Sequence, residues 1–351
     1  MARSASATDI FPCGFEAEPL LHGGELSAAR RQFPGAPEPF LDLSTGINPN
    51  PYPLPPVYPE AFNRLPEGDS IRSLATVAAR AYSAPSAACV VPAPGAQILL
   101  PLVAGLVQPG RAAVVAPTYG EFARAAALAG HRVAEVSELA AVGDARLAFV
   151  ANPNNPDGRL YAKNELFAFG HGLHWRGGVL VVDEAFMDSE SPSASLAAEV
   201  CHAQIVVLRS FGKFFGLAGM RLGFALAPPP LAARLSALLG PWAVSGPALA
   251  VGAKALADAE WIEAARVRLR NAARRLDAIL TASQLKIFGG TALFRLVRTP
   301  LAGELFDHLG HAGILVRRFE DHADWLRFGL PADEQAWERL RAAMASFRHS
   351  D

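Results

Sequence analysis

The chain has 351 residues, 51% hydrophobic and 19% charged, which suffices for one large globular unit or two intimately associated domains with a substantial core. Its 32 basic and 33 acidic side chains are spread along the whole length, so no block of like charge points to nucleic acid or an anionic membrane. No stretch reaches the roughly 20 apolar residues that span a bilayer, and the N-terminus lacks the continuous apolar core of a signal peptide.

Cys13, Cys89 and Cys201 are odd in number, widely spaced and without a C-x-x-C pair. That argues against a disulfide framework or zinc site and for a reducing cytoplasm. His171 and His174 stand three apart without accompanying ligands, so no metal site is expected. A small molecule is the expected partner.

In chain order, residues 1–60 are rich in Pro and Gly and predict an irregular arm. From about residue 70 the spacing of Ile71, Leu74, Val77 and Ala78 predicts a helix. Short apolar runs then predict strands at 89–91, 112–116, 147–151, 179–182, 205–208 and 222–227, separated by helical stretches such as 121–129. Runs that are apolar without alternation fit a parallel sheet covered by helices on both faces. Polar residues collect just past these strands, where open α/β sheets bind their ligands. A long amphipathic helix is predicted past Pro247 to about Ser283. Strands at 292–297, 314–316 and 325–328, a helix near 304–309 and a final helix after Pro331 follow. The expected division is an arm at 1–45 packing with the small domain, a large α/β domain at 46–245 and a small α+β domain at 246–351.

The chemistry concentrates in a few segments. Arg209-Ser-Phe-Gly-Lys213-Phe-Phe-Gly-Leu-Ala-Gly-Met-Arg221 follows an apolar strand and sets a lysine among glycines and aromatics. Desolvation there favours the neutral amine, the form that condenses with an aldehyde. Ser210 and Arg221 offer a hydroxyl and a guanidinium suited to a phosphate. Asp183 ends the strand Val-Leu-Val-Val and supplies a carboxylate able to keep a heterocyclic nitrogen protonated. Asn152-Pro-Asn-Asn155-Pro-Asp-Gly158 is a polar turn after another strand, and Pro94-Gly95-Ala96-Gln97 precedes a helix whose free amides suit a phosphate. Taken singly, Lys213 reads as a surface residue, Asp183 as a cap or ion pair and Asn155 as a turn former. Their order along the chain carries the argument.

That order resembles the fold-type I pyridoxal-phosphate enzymes of the class I/II aminotransferase group over nearly the entire chain. The resemblance implies pyridoxal 5'-phosphate as cofactor and a homodimer with sites near its interface. It implies that Lys213 carries the cofactor covalently, Asp183 pairs with its ring nitrogen, Asn155 meets its phenolic oxygen and Tyr119 in Pro-Thr-Tyr-Gly stacks on it. Phosphate contacts fall to Gly95, Ala96, Ser210 and Arg221, Gln97 of the same amide-bearing segment counts among the cofactor-binding residues, and Arg327 in Trp-Leu-Arg-Phe-Gly matches the arginine that holds a substrate carboxylate.

His22-Gly-Gly24 and Asp42-Leu-Ser-Thr-Gly-Ile-Asn48-Pro49 resemble the threonine-phosphate decarboxylases of cobalamin biosynthesis more than the similar histidinol-phosphate aminotransferases. The implied reaction is decarboxylation of threonine phosphate to aminopropanol phosphate, with Arg327 holding the carboxylate. His22, Asn48 and Arg317 are further candidates for substrate contact, Arg317 preferred to Arg318 by its spacing after Gly-Ile-Leu-Val. The alternative is an aminotransferase acting on a phosphorylated amino substrate. Gly212 stands where the family often has a hydroxyl residue, Asp157 where it often has Thr, and Phe186 where many members have Tyr.

Overall fold

The apolar runs assemble side by side. In the computed structural model, which describes residues 23–347, the arm supplies β1 (Leu41–Asp42). Seven further strands follow: β2 (Val90–Ala93), β3 (Arg111–Val115), β4 (Arg132–Val136), β5 (Leu147–Ala151), β6 (Val179–Asp183), β7 (Ile205–Ser210) and β8 (Gly223–Leu226). They form one sheet in the order β2-β8-β7-β6-β5-β3-β4. Within the run β7-β6-β5-β3-β4 every adjacent pair is parallel. Parallel neighbours need a crossover, and helices such as Glu121–Leu128 and Lys163–Trp175 supply it.

Successive side chains leave a strand on opposite faces, so each strand feeds two cores. In β6, Leu180 and Val182 pack into one cluster while Val179 and Val181 pack into the other. Burial on both sides is why these strands read as unbroken apolar runs.

Direction was not legible in that pattern. The run at 222–227, grouped in the sequence with the parallel strands, is β8, and it lies antiparallel to both β2 and β7. The strand β4 went unpredicted, because Arg-Val-Ala-Glu-Val at a sheet edge keeps exposed charges at Arg132 and Glu135.

The long helix expected at 247–283 is two, Gly246–Ala257 and Ala259–Ala282, broken at Asp258. The Asp258 carboxylate accepts the Trp261 N–H at 3.0 Å and so caps the second helix. The arm is less irregular than expected, with helices at Leu26–Gln32 and Glu60–Asn63.

The C-terminal part contributes β9 (Lys286–Thr291), β10 (Phe294–Arg298), β11 (Ile314–Leu315), β12 (Arg317–Arg318) and β13 (Trp325–Gly329). An antiparallel sheet runs β12-β13-β10-β9, while β11 pairs with β1 of the arm, Leu41 opposite Ile314. The Gly329 N–H donates to Leu43 O at 2.7 Å, and the Gly290 N–H donates to Asp157 O at 2.9 Å. These bonds join the second sheet to the arm and to the turn after β5. Among the described residues, no helix is long and apolar enough to cross a membrane.

Candidate active site

The ends of β6 and β7 bring the central pair together. Asp183 is the last residue of β6, and Lys213 lies in the short helix Phe211–Phe214 that follows β7 directly. Burial raises the Asp183 pKa to about 6, against the opposing pull of the Ala185 N–H, which donates to Oδ1 at 3.0 Å, and of Lys213. The Lys213 pKa falls to about 8, first through burial and then through Arg327, with Asp183 acting the other way. A lysine with that value is roughly one-tenth neutral at pH 7. Its Nζ lies 5.8 Å from the centroid of the Phe186 ring, which stands edge-to-face with Phe294.

Local packing fixes the lysine's turn. A Cβ on Gly212 would lie 2.8 Å from Ala218 Cα, which explains why no hydroxyl residue stands there. Asn48 braces the same turn: its Nδ2 donates to Phe214 O at 2.8 Å, its N–H to Lys213 O at 2.9 Å, and its Oδ1 accepts the Asn50 N–H at 2.9 Å. The Asn48 amide thus props the lysine from behind rather than facing a substrate. His22 lies outside the described residues.

A cradle for an anion lies beside it. Gly95 has φ +91°, and the Arg221 guanidinium fills the space that a Cβ would need there, at 2.5 Å. A Cβ on Gly223 would fall 2.3 Å from the Ala96 N atom, so this glycine admits the Ala96 main chain to the edge of β8. Ser210 ends β7 at the same corner, and its hydroxyl caps no helix N–H.

Gln97 belongs to the segment whose main-chain amides the sequence offers to the phosphate, and its side chain is engaged elsewhere. Gln97 Oε1 accepts the Tyr119 hydroxyl at 3.0 Å, and Nε2 donates to Glu121 at 2.9 Å. Only the Gln97 main chain remains for a phosphate; the side chain fixes Tyr119, whose hydroxyl pKa burial raises to about 12.

On the opposite wall, Arg327 donates through Nη1 to Asn155 Oδ1 and through Nη2 to Ser44 O, the latter at 2.7 Å. Its Nε is buried without a hydrogen-bond partner. Arg317 is its register partner across β12 and β13. Burial, then repulsion from Arg317, lowers the Arg327 pKa to about 9, with Asp42 acting the other way. Arg318 turns away to the Phe306 ring, 4.9 Å from its centroid.

Asn155 reaches this wall because the 152–158 turn is rigid. Asp157 Oδ1 accepts from Asn154 Nδ2 at 2.8 Å and from the Arg159 N–H at 2.9 Å, so the aspartate holds the turn without a threonine. A Cβ at Gly158 would strike Gly290 O at 2.0 Å, and that close approach seats the turn on β9.

Residues 60–343 match the family described as Aminotransferase class I and II. The chain belongs to that family. Among curated members, it is 44% identical to the threonine-phosphate decarboxylase of Pseudomonas aeruginosa, over 94% of this chain and 98% of the relative. It is 42% identical to a threonine-phosphate decarboxylase from a Sinorhizobium species, over 93% and 98%. Its fold matches the crystal structure of histidinol-phosphate aminotransferase from Sinorhizobium meliloti in complex with pyridoxal-5'-phosphate, with TM-score 0.81 and 21% identity over 96% and 98% of the two chains.

One buried cluster beside the site is not foreseen by sequence reasoning. Arg209 donates to Glu184 at 2.7 Å and to Asp188 at 2.5 Å, all three side chains being buried. Glu184 also receives the Ser195 hydroxyl at 2.6 Å and the Leu196 N–H at 2.8 Å. This cluster locks the ends of β6 and β7 together, one residue beyond Asp183 and one before Ser210. The only sequence signal was an Arg and a Glu at the ends of apolar runs, and nothing in it pairs them.

Proposed function

We propose that the protein is a pyridoxal-phosphate-dependent threonine-phosphate decarboxylase, converting L-threonine O-3-phosphate to (R)-1-aminopropan-2-yl phosphate in cobalamin biosynthesis. The observation that carries this reading is a lysine shifted toward its neutral form facing a carboxylate at the ends of adjacent strands, in a chain 44% identical to such an enzyme.

The residues present fit the cofactor. The cradle of Gly95, Ala96, Ser210 and Arg221 suits its phosphate, Tyr119 its ring face, Asn155 its phenolic oxygen and Asp183 its ring nitrogen, with Lys213 as the amine that binds it. When bound, pyridoxal phosphate supplies a cationic heterocycle into which the electron pair left by departing carbon dioxide can spread.

The chain's own groups direct the rest. Asp183 keeps a proton on the ring nitrogen. Arg327, with its unpaired Nε, and Arg317 orient the substrate's carboxylate and phosphate, so that the bond to be broken stands across the ring plane. Lys213 Nζ, freed when substrate binds, returns a proton to the α-carbon. Phe186 and Phe294 wall that amine off from water.

The reading includes a cytoplasmic homodimer and the division into arm, large and small domains at residues 46 and 246. Leu54, Tyr58, Phe62 and Leu65 support the dimer: they expose 63%, 80%, 70% and 65% of their surface on one short stretch, an apolar display unusual for a monomer.

The test is direct. Purified protein supplied with pyridoxal phosphate and threonine phosphate should release carbon dioxide without an amino acceptor, and Lys213→Ala should abolish release. If no carbon dioxide appears but histidinol phosphate is turned over with 2-oxoglutarate, the protein is an aminotransferase instead.

A further inference from the structure

Two cysteines far apart in sequence meet at the other end of the sheet. Cys89 and Cys201 are separated by 112 positions, yet their sulfur atoms lie 3.4 Å apart. Cys89 ends the single helical turn Ala87–Cys89, and its carbonyl accepts the Ala227 N–H at 2.9 Å, which ties it to the end of β8. Cys201 sits in the turn that precedes β7. The strands β2 and β7 both flank β8, so the two thiols face each other across its end.

One thiol is buried and the other exposed, and both are free. Two free thiols in contact are often no more than small apolar packing groups. Here the exposed partner gives an oxidant a point of attack, and the buried one is already within reach to complete a bond.

We propose that Cys89 and Cys201 form a reversible disulfide when the protein meets a peroxide, a covalent staple across the end of the sheet remote from Lys213. The steps balance. The Cys201 thiolate attacks one peroxide oxygen, the O–O bond breaks, and the products are a sulfenic acid and water. Cys89 sulfur then attacks the sulfenic sulfur, forming the S–S bond and releasing a second water. The two thiols lose two protons and two electrons, and the peroxide is reduced to two waters.

Burial and the Cys89 sulfur raise the Cys201 pKa to about 11, so the thiolate is scarce at neutral pH and the bridge forms slowly. That suits protection during sustained oxidation better than rapid signalling. Cross-linking positions so far apart restricts the unfolded chain, so the bridged form should melt several degrees higher. The six residues of β7 separate this end of the sheet from the Lys213 turn by roughly 20 Å, so turnover should survive.

The experiment uses the holoenzyme carrying Cys13→Ser, treated with hydrogen peroxide at mildly alkaline pH. The expected result is an intact mass lower by two hydrogens and a non-reduced digest joining the peptides of Cys89 and Cys201. The melting temperature should rise, dithiothreitol should reverse both changes, and the rate with substrate should be unchanged. Cys201→Ser should lose the joined peptide and the rise in melting temperature together. The proposal is overturned if Cys201 gains oxygen while Cys89 stays a free thiol. It is equally overturned if both thiols still titrate after treatment that fully oxidises glutathione, or if the rise persists in Cys201→Ser.

Discussion

Asp183 and Glu184 are neighbours in sequence and opposites in surroundings. Successive side chains leave a strand on opposite faces, so one carboxylate turns toward the crevice with Lys213 and the other into the core with Arg209. Burial pushes both pKa values up. At Glu184 this is opposed by a guanidinium, a hydroxyl and a main-chain N–H, whereas at Asp183 one N–H and the Lys213 ammonium oppose it. The comparison separates two uses of buried charge: where partners close around it, it fixes strand ends, and where they are withheld, it stays available for chemistry.

The largest effect should come from the open cluster. Asp183→Asn should lower carbon dioxide release about a thousandfold, a loss of about 4 kcal/mol of transition-state stabilisation, because the amide cannot keep a ring nitrogen protonated. The folded pKa of Asp183 lies above its ordinary value, so folding favours its protonated form. The stability this contributes is present at low pH and is lost as pH rises through about 6. At neutral pH the ionised group therefore strains the fold, and Asp183→Asn should raise the melting temperature of the cofactor-free protein while it removes activity. A lower melting temperature in that variant would break the comparison.

The closed cluster should respond with the opposite balance. Arg209→Met leaves Glu184 and Asp188 buried without their countercharge and should cost about 3 kcal/mol of stability, measured by denaturant unfolding. Because the cluster is buried in the core and not in the crevice with Lys213, surviving folded protein should retain most of its turnover. A stable but inactive Arg209→Met protein would show instead that the cluster acts in the reaction.

The smallest effect concerns the ring support. Gln97→Leu releases Tyr119 from its 3.0 Å hydrogen bond and should lower turnover by about tenfold, or about 1.4 kcal/mol, without disturbing the fold. Cofactor affinity is the companion measurement, since a phosphate role for the Gln97 side chain would weaken binding rather than turnover.

Much of the site was legible because each residue's role depends on type and order at strand ends. Lys213, Asp183, Asn155 and Arg327 lie just past or within apolar runs that the sequence displays plainly, and Arg221 lies just before one. The Gln97 side chain was not legible, since a side chain beside a phosphate-binding amide looks the same in sequence whether it faces the phosphate or a tyrosine. Asn48 was likewise seen as facing substrate, and its two hydrogen bonds to the Lys213 turn depend on a contact 166 residues away.

The sequence by itself determined the layered α/β architecture, since doubly buried strands must be apolar throughout, and it singled out Lys213 and Asp183, which the fold brings to the ends of adjacent strands. Only the tertiary structure decided the direction of β8, the break at Asp258, the pairing of Arg209 with Glu184 and Asp188, and the meeting of Cys89 with Cys201. Periodicity records whether a side chain is buried. It carries no information on which distant partner shares that burial, and the partner sets a buried group's charge, hydrogen bonding and reactivity.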